Sequence, residues 1–196
     1  MNIPTRYRML AFILAAAAAC VVIAPLRAQP QSAGAPETFA ARAQAENSAG
    51  VMVSAPIQIH LDRYTPDFDR AAVEEALRVG GYPGFLPALR RAPDVGYVEL
   101  VGKKTTIRWA RQTPSATGRT IVCVTDKPVA FLGGAATAGA KSRVGYEVAV
   151  FQLKLDGQGS GTGIMAAAAR VKPGGETGVQ IDDYAETPIT LTVTRK

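Results

Sequence analysis

The chain has 196 residues, of which 47% are hydrophobic and 19% charged, with a net charge of +6. That apolar content excludes an intrinsically disordered chain. Two cysteines and one histidine exclude a disulfide-stapled scaffold and the usual zinc ligand sets.

Residues 1–8, "MNIPTRYR", carry Arg6 and Arg8 and no acid, and an apolar run follows over 9–24. The run is Ala-rich and shorter than the ~20 apolar residues of a spanning helix. Pro25 ends it, and Ala28 supplies the small residue before a cut ahead of Gln29. This is the pattern of a secretory signal peptide over 1–28, and it implies export to the periplasm or the extracellular space. A lipoprotein attached through Cys20 is the minor alternative. An uncleaved anchor is a further one; with the signal cleaved, no transmembrane domain is expected. Removing 1–28 takes away Arg6, Arg8 and Arg27 and leaves a net charge of +3 with one thiol, Cys123.

Residues 29–50 are rich in Ala, Gln, Ser and Pro and predict a flexible linker. The rest, 51–196, is long enough for one β-rich domain. "IQIHL" over 57–61 alternates apolar and polar residues, as a half-buried strand does. "YTPDFDRAAVEEALRVGG" then switches to helical period. Thr65 is the expected N-cap and Pro66 the first helical position, with a stripe of Phe68, Ala72, Ala76 and Val79 beside Val73 and Leu77. Gly80 and Gly81 end that helix, and a shorter one is expected over 83–91. From Val95 the chain reads as strands joined by turns. "DGQG" over 156–159 marks a hairpin, and "MAAAAR" is assigned to a strand because it answers that turn. The expected fold is α+β, mainly β. It is an antiparallel sandwich or barrel of about 7–8 strands, with a two-helix insertion after the first strand.

"RYTPDFDR" (63–70), "WARQTP" (109–114), "GRTIVCVTDKPVAF" (118–131) and "IDDYAETPITLT" (181–192) resemble segments of a family of uncharacterised exported bacterial proteins. The resemblance covers most of 60–195 and departs from the family in "LGGAATAGAKS". It implies export and no catalytic assignment.

"GAATAGAKS" (134–142) is one residue away from a phosphate-binding loop. Ala140 separates Gly139 from Lys141, which misaims the lysine, and strand-like sequence follows where a helix is required. A connecting loop is expected, and no nucleotide or other cofactor. His60 is the one candidate for a nucleophilic relay, but no serine elbow accompanies it. Asp182 and Asp183 point to opposite faces of a strand and make no chelate, so no metal site is expected. Cys123 alternates with Ile121 in a strand apolar on both faces, which predicts a buried, inert thiol.

Arg90, Arg91, Lys103, Lys104, Arg108, Arg111 and Arg119 face only Asp94 and Glu99 within their segment, a local charge of +5. The first six are candidates for contact with anionic envelope lipids or polyanions. No nucleic-acid motif accompanies the charge. Gly157, Gly159, Gly161 and Gly163 share a face that admits close approach by a packing layer or a ligand. Trp109 and Phe151 are the candidate ligand contacts should the domain be a barrel with a cavity. The expected function is a non-enzymatic binding or structural domain of the cell envelope. The alternatives are an exported hydrolase with a carboxylate-based site and a carrier of a small apolar ligand.

Overall fold

The computed structural model describes residues 36–47, 49–131, 144–185 and 187–196. The leader segment and the Gly/Ala loop over 134–142 lie outside them.

The elements in chain order are β1 (Glu37–Glu46), β2 (Met52–Leu61), α1 (Asp67–Arg91), β3 (Gly96–Leu100), β4 (Lys103–Ser115), β5 (Gly118–Thr125), β6 (Val148–Asp156), β7 (Gly161–Pro173), β8 (Val179–Tyr184) and β9 (Ile189–Arg195). Antiparallel pairing runs β1 to β7 in sequence, then from β7 to β9 and from β9 back to β1. Eight strands therefore close into a barrel, and β8 pairs with β7 alone among the described residues.

The segment expected as a linker contains β1. Phe39, Ala41, Ala43 and Ala45 point inward and are buried, while Arg42 and Glu46 face out. Three of those four inward residues are alanines, whose weak apolar signal hides the alternation. The helical insertion also differs from expectation. It follows the second strand, and it is one element, kinked at Gly81, where φ 58° and ψ −158° suit only glycine. Val73, Leu77, Phe85 and Leu89 are its buried residues. Phe68 and Val79, expected on the inward stripe, are 85% and 71% exposed. Thr65 does not cap the helix. Its hydroxyl accepts the Ala110 N–H at 2.8 Å and its own N–H donates to the Ala110 carbonyl at 2.9 Å, tying the start of α1 to β4. The "DGQG" hairpin joins β6 to β7 as expected, with Asp156 Oδ1 accepting the N–H groups of Gln158 and Ser160. "MAAAAR" lies in β7.

Two cores result. Inside the barrel, Phe39, Ile59, Ile107, Phe151, Leu153, Met165 and Leu191 are fully buried. Outside it, the buried face of α1 shares a cluster with Trp109, Val122, Val124, Val148, Val150, Ala166 and Ala169. One barrel mouth is closed by a polar cluster. Glu37 accepts hydrogen bonds from Tyr64 at 2.6 Å and from Arg119 at 2.8 Å, and Arg195 lies 3.3 Å from the same carboxylate. Arg119 also donates to Gln112 at 2.8 Å.

Val101 and Gly102 form the two-residue turn between β3 and β4, with φ of 49° and 73°. Positive φ at both positions suits Asn-Gly, whereas a β-branched residue is strained there. Val101→Asn is therefore expected to stabilise the fold by about 1 kcal/mol, read as a higher midpoint in urea.

Candidate binding groove

Beyond the hairpin bulge at Arg170/Val171, β7 and β8 form a ribbon that lies on the outer wall of the barrel. Val171 and Val179 on its inner face are buried among the valines of β5 and β6 and the side chains of α1. Thr113 donates to the Glu176 carbonyl at 3.3 Å and holds the ribbon tip against β4. Beside the ribbon, the uncovered wall of β5, β6 and β7 floors a groove of about 720 Å³.

Strand register arranges that floor. Thr120, Lys154 and Thr162 stand opposite one another across three strands, and Val122 and Gln152 form the next row. Val150 continues the floor toward the helix, and Val179, Gln180 and Ile181 of β8 form the bank. The groove grades from an apolar end under α1 to a hydroxyl- and amide-bearing end by the "DGQG" hairpin. Thr120, Gln152, Lys154 and Thr162 have no side-chain partner among the described residues. Their alternation within β5, β6 and β7 is legible in the sequence. The ribbon that turns this wall into a groove is not.

Trp109 and Phe151 do not meet. Phe151 is in the barrel interior and Trp109 is in the outer core beneath α1. A register shift between Ile107 and Trp109 separates them, because the extra residue reverses the side-chain parity of β4. Trp109 does share its cluster with Val122, Val150 and Val179, which line the groove. The glycine face serves the wall itself. A Cβ at Gly161 would lie 2.0 Å from the Lys154 carbonyl oxygen, and one at Gly163 would lie 2.7 Å from that of Gln152. The close approach is made by β6.

The basic segment meets acids from elsewhere in the chain. Arg108 pairs with Asp94 and lies 3.6 Å from Asp126, Arg111 lies 3.4 Å from Glu74, and Arg119 is held by Glu37. Lys104 lies 3.8 Å from Glu99 and over the Tyr97 ring. Arg91 donates to the Pro87 carbonyl. Arg90 and Lys103 are exposed, with no carboxylate partner among the described residues. Burial pushes the Glu74 carboxyl above its ordinary value, against the pull of Arg111 and Arg70.

His60 sits on the outer wall between Thr38 and Tyr97. Its Nδ1 is 2.8 Å from the Thr38 hydroxyl and its Nε2 3.1 Å from Asp62. The order hydroxyl, imidazole, carboxylate has the form of a relay, but none of the three lines the groove. Asp182 is bound by Arg170 at 3.0 Å and Lys172 at 3.3 Å, and Asp183 accepts the Tyr146 hydroxyl. No three His, Cys, Asp or Glu side chains converge as metal ligands among the described residues.

Cys123 is fully buried inside the barrel, and burial pushes its thiol up to about 12. In the native protein Cys123 is expected to resist an aromatic disulfide reagent and to react only in denaturant. Rapid labelling of the folded protein would contradict this burial.

Comparison with protein-family models, with curated proteins and with solved structures finds no match.

Proposed function

We propose that this chain is a non-enzymatic binding domain, exported to the cell envelope, whose barrel is a scaffold and whose ligand lies in the groove on the outer wall. The observation that carries the reading is the row Thr120, Lys154, Thr162 with Gln152. These are polar side chains without partners among the described residues, standing beside buried valines on a concave surface. Recognition sites combine apolar surface with a few such orienting groups. The apolar-ligand carrier fits less well, since side chains occupy the barrel interior. The groove also fits better than a broad anionic surface, because acids offset four of the seven basic residues between positions 90 and 119.

The chain has one tryptophan, and it packs against the groove floor. Titration with peptidoglycan fragments, lipopolysaccharide, anionic vesicles and extended peptides is therefore expected to change Trp109 emission for at least one class. Gln152→Ala with Thr120→Val should weaken that response. If Arg90→Glu with Lys103→Glu abolishes binding and the groove variant does not, the anionic surface is the site. No response to any class would remove the reading.

A further inference from the structure

The bank of the groove is the free edge of a strand. Gly174 donates to the Gly178 carbonyl at 3.2 Å, and Pro173, which has no N–H, stands opposite Val179. Lys172 and Gln180 are therefore the hydrogen-bonded pair between the two strands. Alternation along an antiparallel ladder then turns the main-chain groups of Val179 and Ile181 away from β7. The Val179 carbonyl accepts the Thr177 hydroxyl at 3.2 Å. Among the described residues, both main-chain groups of the half-buried Ile181 remain at the edge, with Val179 buried behind them.

That edge faces the groove. Residues 175–177 and 179–181 line it, and residues 170–174 do not. Helix α1 packs mainly on the β7 side of the ribbon, with Glu74 against the Gly178 turn and Val179 in the cluster of its buried face, and Gln180 is exposed beyond them. Edge strands are ordinarily guarded by lysine, proline or a bulge. Here the bulge falls beyond Ile181, and Val179–Gln180–Ile181 carries no such guard.

We infer that the groove binds an extended polypeptide of another protein, which adds to β8 as an antiparallel or parallel strand and lays alternate side chains on the floor. This rests on the groove being the binding site. Main-chain pairing at an open edge supplies affinity and the floor supplies selection, as in other strand-addition complexes. Two observations define the partner. Lys154 stands on the floor with no ion pair among the described residues, while the lining acids Asp156 and Glu176 lie at the hairpin and the ribbon tip, so a peptide carboxylate is called for at the Lys154 position alone. Among the described residues the lining contains no aromatic ring on which a sugar could stack, and its neutral part mixes Ser, Thr and Gln with Val, Leu and Ile, which suits small aliphatic or hydroxyl- and amide-bearing side chains.

The test is selection of a random peptide library displayed on phage against the full mature chain. Synthetic versions of the selected peptides are then measured by Trp109 emission. Methylating the peptide nitrogens one at a time should abolish binding at alternate residues and leave the residues between them unaffected. Ile181→Pro should weaken binding about tenfold relative to Ile181→Ala, since only the former removes the edge N–H. Replacing the peptide's acidic residue should matter in the wild type and not in Lys154→Gln. Selected peptides that tolerate methylation everywhere would overturn strand addition. A response to peptidoglycan fragments with no peptide selected would keep the groove as the site and overturn the polypeptide. Silence from both would remove the groove reading as well.

Discussion

Replacing Glu37 by Ala is expected to destabilise the protein by about 3–5 kcal/mol, the range found when one partner of a buried ion pair is removed. Its carboxylate is 6% exposed and receives Tyr64, Arg119 and Arg195 at the mouth of the barrel. Truncation leaves the half-buried Arg119 guanidinium without its carboxylate, with Gln112 at 2.8 Å and the Tyr64 hydroxyl at 3.4 Å as its neutral partners. The double variant Glu37→Ala, Arg119→Ala should cost less than the two single changes added together, because each single change strands the other's charge. Urea unfolding of all four proteins checks this. Simple additivity would mean that the cluster is not coupled.

The same cluster sets a pH dependence. Burial pushes the Glu37 carboxyl up, but hydrogen bonds from Arg119 and Tyr64, with the charges of Arg119 and Arg195, outweigh it and hold the group below its usual 4.5. The folded state thus binds its proton less tightly than the unfolded state. Stability is complete above pH 4.5 and is lost as pH falls through the lower folded value. Tyr64 acts in the other direction. Burial and the adjacent carboxylate hold its hydroxyl protonated beyond the usual 10.0. As pH rises past 10.0 the unfolded state gives up this proton first, and stability falls. Glu37→Gln should flatten the acid limb and Tyr64→Phe the alkaline one.

The second large effect is expected at Trp109. Its ring is fully buried between α1 and the barrel wall, beside Leu77, Phe85, Val124 and Val150. Trp109→Ala should cost about 3–5 kcal/mol through lost burial and the cavity left behind. Trp109→Phe should cost only about 1 kcal/mol. The indole Nε1–H is buried without a partner, so its removal relieves a desolvation cost that offsets part of the lost volume. Far-UV circular dichroism in a denaturant series reads both variants. Equal losses for Ala and Phe would mean that the N–H carries the stability.

The strands β3 to β9 were legible from different signals: alternation where one face is polar, as in β9, an apolar run on both faces in β5, and the hairpin at 156–159 for the Ala-rich β7. The first strand was not, because Ala41, Ala43 and Ala45 give the inward face too little apolar weight beside Phe39. The helix was legible in its ends and its Gly80-Gly81 break. Its buried face was not, since Phe68 and Val79 are apolar residues turned to solvent, with Val73 and Leu77 taking the wall. Trp109 and Phe151 are candidate contacts of one cavity only if both face the barrel interior. The extra residue before Trp109 reverses the parity, and no residue type announces it. Pairing of the basic residues depends on Glu37, Glu74 and Asp126, which are distant in sequence. The groove depends on a ribbon folding back over the wall, a tertiary event outside the reach of local pattern.

The seam between β1 and β9, with Phe39 opposite Arg195, has a kinetic meaning. It joins strands from the two ends of the folded region, so ring closure requires a contact of nearly maximal sequence separation. Such contacts carry a large chain-entropy cost before they are rewarded, which places the folding rate toward the slow side for small domains. Until β9 has been synthesised, β1 and β7 each wait with an unpaired side, and the native state cannot be built up piecemeal from the N-terminus. A chain still held at the ribosome would stay open along those sides. It would then snap shut as a unit once its last strand was free.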